Sequence, residues 1–115
     1  MKNSLKNSSE FERVYKNGKS YADKLLVMYV LKNDTGKNRL GISCSKKIGN
    51  SVVRHRVTRL IREAFRLNLH MFNSGLDIVV IARTGIGNAG FREVNLSFLR
   101  LAGLHKIIKR DRGME

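Results

Sequence analysis

From Ser45 to Arg66 the chain reads SKKIGNSVVRHRVTRLIREAFR, and no other stretch limits its possible folds as strongly. After a Lys46–Lys47 pair and a Gly49–Asn50 turn, it runs on without Gly or Pro. Val53, Val57, Leu60, Ile61, Ala64 and Leu67 recur at i, i+3, i+4 spacing, the period of an amphipathic helix. Asn50 or Ser51 can cap its first turn by accepting a backbone N–H that has no partner within the helix. At about 100° per residue the apolar set occupies one arc, with His55, Arg59, Arg62 and Arg66 opposite. Arg54 and Arg56 flank the apolar arc, the first near Ile61 and the second near Glu63. A charged helix face is ordinarily just solvated. Here Glu63 is the only acid in the stretch, and like charges at these spacings repel. Planar guanidinium forks suit phosphate, so the face points to an anionic partner that relieves the repulsion.

The whole chain agrees with that stretch. Its 115 residues carry 23 basic against 9 acidic side chains, a net charge of +14. That length supports one domain with one core. An excess of this size works against compaction, so it implies a polyanionic partner rather than a need of the fold. Nucleic acid is the first candidate and an anionic membrane the second. Membrane binding is weakly supported, because no apolar run approaches the ~18–20 residues a span requires. The N-terminal MKNSLKNSSEFERV also lacks the apolar centre of a signal peptide. The single cysteine, Cys44, reads as a reduced core side chain, and three scattered histidines offer no metal-ligand spacing. A reducing, cytoplasmic setting is expected.

Residues 1–9 read as a loose basic arm. Ser8 or Ser9 can cap a short helix, Glu10 to Lys16, which Gly18 would end as a left-handed residue. Its Phe11 and Tyr15 fit core packing first and a stacking platform for unpaired bases second. Lys24 to Leu31 reads as a strand that is apolar on both faces, and Asn33-Asp34-Thr35-Gly36 as a turn. A hairpin to a strand over Arg39–Ser45 is expected. There Gly41 and Ser43 leave a small, polar face with room for a ligand. Asn73-Ser74-Gly75 ends the long helical region. Leu76 to Ala82 has the continuous apolar pattern of a central strand, with Asp77 as its polar start and Arg83 after its end. Gly85, Gly87 and Gly90 match the spacing of a dinucleotide fingerprint. The context is wrong and no acid follows about 20 positions on, so a flexible loop is the better reading. A last helix runs from Phe91 to Leu101, burying Val94, Phe98 and Leu101, with Gly103 as its stop. Residues 104–115 form a basic tail, frayed or a helical extension.

The fold class that follows is α+β. It is a single-domain sandwich with one central sheet of about four strands and three helices, in the order α-β-β-β-α-β-α. Groups for catalysis are scarce. No acids pair up for general acid/base or two-metal work. Cys44 with His55 makes a poor nucleophile and base, lacking an orienting partner. His70 and His105 read as helix-terminal or surface residues. The residues favour a nucleic-acid binder without an active site of its own.

Ser45 to Glu63, SKKIGNSVVRHRVTRLIRE, is similar to the signature of the protein subunit of bacterial ribonuclease P, roughly SKKxGNAVxRNRxKRxxRE. Phe11 to Lys19 resembles that family's first helix and Asp77 to Arg83 its DIVVIAR strand, so the likeness spans nearly the whole chain. His55 stands where the family usually carries Asn, and Thr58 where it usually carries Lys, which removes one phosphate contact. The resemblance implies a left-handed strand–helix–strand crossover around the signature. It implies a catalytic RNA subunit that, with Mg²⁺ held mainly by RNA and substrate, hydrolyses precursor tRNA to leave its mature 5′ end. The protein would be monomeric in a complex of one protein and one RNA. Lys46, Lys47, Asn50, Arg54, His55, Arg56, Arg59, Arg62 and Arg66 would meet the RNA subunit and substrate near the cleavage site. Phe11, Tyr15, Val27, Tyr29, Ser43 and Arg83 would line a cleft for the single-stranded 5′ leader. A structural RNA-binding protein such as a ribosomal one is the main rival. A DNA-binding helix is weaker, since nothing indicates a helix-turn-helix or paired half-sites.

Overall fold

The computed structural model describes residues 4–109. Three helices and four strands follow one another as α1 (Ser8–Asn17), β1 (Lys19–Ala22), β2 (Leu26–Lys32), β3 (Arg39–Ser43), α2 (Ser51–Asn68), β4 (Leu76–Ala82) and α3 (Phe91–Leu104). This is the expected α+β order. The sheet runs β1-β2-β4-β3. β1–β2 and β2–β4 are antiparallel, while β3 lies parallel to β4 and α2 makes the crossover between them.

The expected hairpin between β2 and β3 does not form, because β4 lies between them. Continuous burial along β4 explains the preference. β4 buries every residue except Ile81, so it needs a strand on each side and a helical layer on each face. The hairpin partner of β2 is instead β1, a short strand with an exposed, polar pattern.

The two faces of the sheet carry separate apolar clusters. Leu26, Met28, Leu40, Ile78, Val80 and Ala82 join Val57, Ile61, Ala64 and Phe65 of α2 and Val94, Phe98 and Leu101 of α3 in the larger one. Phe65 is 1% exposed whereas Leu67 is 45% exposed, so the apolar arc of α2 includes the former and leaves out the latter. On the other face α1 lies over Val79 with Leu5, Val14 and the flanking Phe11, Tyr29, Leu31 and Ile81.

Local expectations are corrected at several ends. The α1 cap is Asn7, not Ser8 or Ser9. Its Oδ1 accepts the Glu10 N–H at 3.0 Å, and the Glu10 carboxylate accepts the Asn7 N–H in return. Gly18 is extended (φ −85°), not left-handed. It is needed because a Cβ there would come within 2.6 Å of the Val14 carbonyl oxygen. The described part of the N-terminal arm is docked rather than loose: Ser4 bridges to Leu40, and the buried Leu5 donates its N–H to the Leu40 carbonyl at 2.9 Å. α3 continues through Gly103 to Leu104, and Lys106 (φ 58°) takes the left-handed position after it. The tail then folds back. Ile107 is buried, and Ile108 bridges to Phe72 beside the α2–β4 connection. Residues 110–115 lie outside the described residues, as do residues 1–3 of the arm. Thr84–Ile86 is an ordered 3₁₀ turn with Ile86 fully buried, not a flexible glycine loop.

Candidate nucleic-acid interface

The pairing register lays out the α1 side of the sheet as three cross-strand rows, because directly paired residues project to the same face. Arg39, Asp77 and Leu31 form the first; Gly41, Val79, Tyr29 and Ser20 the second; Ser43, Ile81, Val27 and Ala22 the third. α1 covers the first two. Val79 and Asp77 are fully buried, while Ser43, Ile81 and Val27 in the third row are only partly covered. The result is a groove with the third row as its floor and the aromatic side of α1 as one wall.

Phe11 and Tyr15 sit on that wall with ring centroids 6.4 Å apart, and Tyr15 meets Tyr29 edge-to-face at 5.0 Å. Tyr15 stays 37% exposed. Phe11 is partly buried for a specific reason. A Cβ on Gly41 would lie 2.7 Å from Phe11 Cζ, so the missing side chain on β3 is filled by the Phe11 ring. The room expected at Gly41 is therefore occupied, and only Ser43 keeps the small, open character. Burial raises the Tyr15 phenol above its ordinary range, while the Ser43 hydroxyl pulls it the other way. Arg83 follows β4 on the same alternation and is exposed. Its guanidinium donates to the Asp23 carbonyl at 2.9 Å, which holds it at the edge of the groove.

The basic surface lies beyond the end of β3. Lys46 and Lys47 are exposed on a 3₁₀ turn, Lys46–Ile48, whose Ile48 is buried as an anchor. Asn50 then caps α2, its Oδ1 accepting the Val53 N–H at 3.0 Å. His55, Arg59 and Arg62 project to solvent as expected. Two of the arginines are turned to internal partners, and a third is exposed as expected but paired. Arg54 Nε donates to the Gly49 carbonyl at 3.3 Å. Arg56 donates through both terminal nitrogens to the carbonyls of Gly87 and Ala89, tying α2 to the loop after β4. Arg66 pairs with Glu63, which lowers the Glu63 carboxyl below its ordinary value. The exposed cations without an ion pair among the described residues are thus Lys46, Lys47, Arg59 and Arg62, with His55 on the same face, and Ser51, Val52, His55, Arg56 and Arg59 line a surface cleft there.

Cys44 is a free, partly buried thiol. Burial pushes it up, against the pull of the Arg54 charge and the Thr58 hydroxyl, which is the wrong direction for a nucleophile. Thr58, at the position where Lys was expected, therefore faces the thiol. Among the described residues, no group of three or more His, Cys, Asp or Glu side chains could hold a metal ion.

The Ribonuclease P family model matches residues 1–105. The chain belongs to the ribonuclease P protein family. It is 61% identical over 108 residues to the ribonuclease P protein component of Lachnoclostridium phytofermentans, covering 94% of this chain and 93% of that one. It is 49% identical over 98 residues to the component from Clostridioides difficile, covering 84% and 86%. Among solved structures, the Staphylococcus aureus RNase P protein superposes with a TM-score of 0.86 at 33% identity, over 93% of this chain and 98% of that one. The Thermotoga maritima RNase P protein gives 0.79 at 32% identity, over 85% and 93%.

Sequence reasoning missed one group of this ribonuclease P protein. Asp77, read as the polar start of β4, has a fully buried side chain. Its carboxylate accepts two hydrogen bonds from Arg39 at 2.8 Å, one from Asn33 at 2.7 Å and one from Arg13 of α1. Burial alone would raise this carboxyl, but the hydrogen bonds of Arg39 and Asn33 and the charges of Arg39 and Arg13 hold it below the ordinary range. A sequence signal existed: an acid one residue inside an otherwise apolar, doubly covered strand needs buried cationic partners. His105, expected to be helix-terminal or on the surface, is the C-terminal cap of α3. Its ring is half-buried, 2.8 Å from the Met28 carbonyl and edge-on to Tyr21. Burial lowers its pKa.

Proposed function

We propose that the chain binds the catalytic RNA of ribonuclease P through the exposed cations of α2 and the preceding turn. In this reading it holds the single-stranded 5′ leader of precursor tRNA in the groove beside α1, supporting removal of that leader. The observation that carries the reading is the pairing of two unlike surfaces on one small domain. One is cationic and almost without acids. The other is an aromatic-walled groove with an apolar floor, able to stack unpaired bases whatever their identity. Arg83, at the edge of the groove, would meet leader phosphate in this reading. Hydrolysis belongs to the RNA subunit, and the Mg²⁺ it uses is held mainly by that RNA and the substrate. The protein acts as a monomer with one RNA, in the cytoplasm. Among the described residues no helix is long and apolar enough to cross a membrane.

Reconstitution tests the reading. Precursor tRNA is incubated at low Mg²⁺ with protein alone, with a bacterial ribonuclease P RNA alone, and with both. Cleavage in the mixture alone is the expected result. Cleavage by the protein alone would require an active site in the chain, and no effect of the protein would favour a purely structural RNA binder.

A further inference from the structure

Along α1, Val14 faces the sheet and is fully buried. At 100° per residue, Phe11 and Tyr15 lie about 60° and 100° to one side of it, and Glu10 and Arg13 about 40° and 100° to the other. The helix therefore has an aromatic flank and an ionic flank on either side of one apolar contact line. Val14 against Val79 fixes the height of the helix over the sheet and the Phe11 ring at Gly41 holds its near flank, so the roll is set only when the far flank is anchored as well.

The ionic flank supplies that constraint. Glu10 pairs with Arg39 at 3.1 Å, and Arg13 reaches the fully buried Asp77 carboxylate. Arg39 and Asp77 are themselves joined across the β3–β4 register, so both anchors of α1 end on one rigid pair in the sheet. Backbone hydrogen bonds from Lys6 and Asn7 hold Glu10 in its ionised form. The opposite flank is the one that carries Phe11 and Tyr15 to the groove.

We infer that Arg13 and Glu10 are positioning residues for leader binding: anchored to Asp77 and Arg39, they set the roll of α1 and so aim Tyr15 at the open third row. The inference deepens the leader-groove reading and rests on it. It requires no contact between Arg13 and RNA. Arg39, bidentately, and Asn33 still satisfy Asp77 when Arg13 is removed, so the domain keeps its core while the helix loses an anchor.

The test uses the reconstituted holoenzyme with precursor and mature tRNA, comparing Arg13→Met, Arg13→Lys, Glu10→Gln and Tyr15→Ala. Arg13→Met should weaken precursor binding by about two- to fivefold, the range of a half-exposed ion pair, and leave mature tRNA and the protein's affinity for the RNA subunit unchanged. Arg13→Lys should restore most of the loss. Glu10→Gln keeps a capping oxygen but drops the charge, and should show a smaller loss of the same kind. In NMR spectra of the Arg13 variants, the Tyr15–Tyr29 ring contact should weaken for Arg13→Met and recover for Arg13→Lys. Equal losses for precursor and mature tRNA, or an unmoved ring contact with unchanged precursor binding, would overturn the inference. Tyr15→Ala separates the two levels. If it fails to discriminate precursor from mature tRNA, the leader-groove reading itself falls. If it discriminates and Arg13→Met does not, only the positioning role falls.

Discussion

On the α1 side of the sheet, the exposed surface is built from rings and aliphatic side chains whose places are set by close contacts. Gly41 makes room for Phe11, Tyr29 meets Tyr15 edge-on, and an ionic cluster secures the far flank of the helix. Beyond the end of β3, the surface is built from long, solvated cations on a helix whose opposite arc is locked into the main core by Val57, Ile61, Ala64 and Phe65. The first surface depends on geometry and the second on charge. Substitutions should therefore divide into those that disturb shape, with a cost in stability or selectivity, and those that remove charge, with a cost in salt-dependent affinity alone.

The largest expected effect falls on the shape side. Asp77→Ala leaves Arg39 without its main partner inside the protein, and removal of one member of a buried pair costs about 3 kcal/mol or more. Thermal melting should show a marked loss of stability, whereas Arg59→Ala, on an exposed side chain, should melt like the parent. The same contrast has a pH dependence. The Asp77 pKa is depressed in the folded state, so its contribution is fully present above the unfolded value near pH 4 and is lost as pH falls through the folded value. Melting curves for the parent and Asp77→Ala should converge as pH falls below about 4.

Next in size is Tyr15→Ala. A base stacked on an aromatic ring is worth ~1–3 kcal/mol, so precursor tRNA should bind about tenfold more weakly and mature tRNA nearly as before. Arg59→Ala should weaken both by about threefold and reduce the salt slope by about one, the signature of a lost phosphate contact. Gly41→Ala should do least. Its new methyl displaces the Phe11 ring rather than backbone, and a small selective loss for precursor tRNA in binding assays would show that the ring position matters.

The two surfaces were not equally legible in the sequence. The basic face follows from periodicity, since the arc of a helix is a local property, and His55, Arg59 and Arg62 lie where 100° steps put them. What periodicity cannot show is which arginines are turned to internal work. Arg56 is claimed by carbonyls of Gly87 and Ala89, more than 30 positions away, and no local pattern marks that. The groove required long-range information. Its rows exist only once β4 is inserted between β2 and β3, and an Asn-Asp-Thr-Gly turn after β2 suggests the contrary. Gly18 and Gly41 were conspicuous in the sequence, yet each serves a close approach from another element rather than a turn or an open space. The ionic cluster escaped notice because Arg13, Asn33, Arg39 and Asp77 belong to four separate segments.

The separation of the two surfaces is tested most directly by one paired measurement: the ratio of precursor to mature tRNA affinity in the reconstituted holoenzyme, for Tyr15→Ala and for Arg59→Ala. The ratio should fall about tenfold in the first and stay unchanged in the second, even though Arg59→Ala weakens both complexes. Equal behaviour of the two variants, with the ratio unmoved in both or reduced in both, would contradict a division between a leader groove and a phosphate-binding helix.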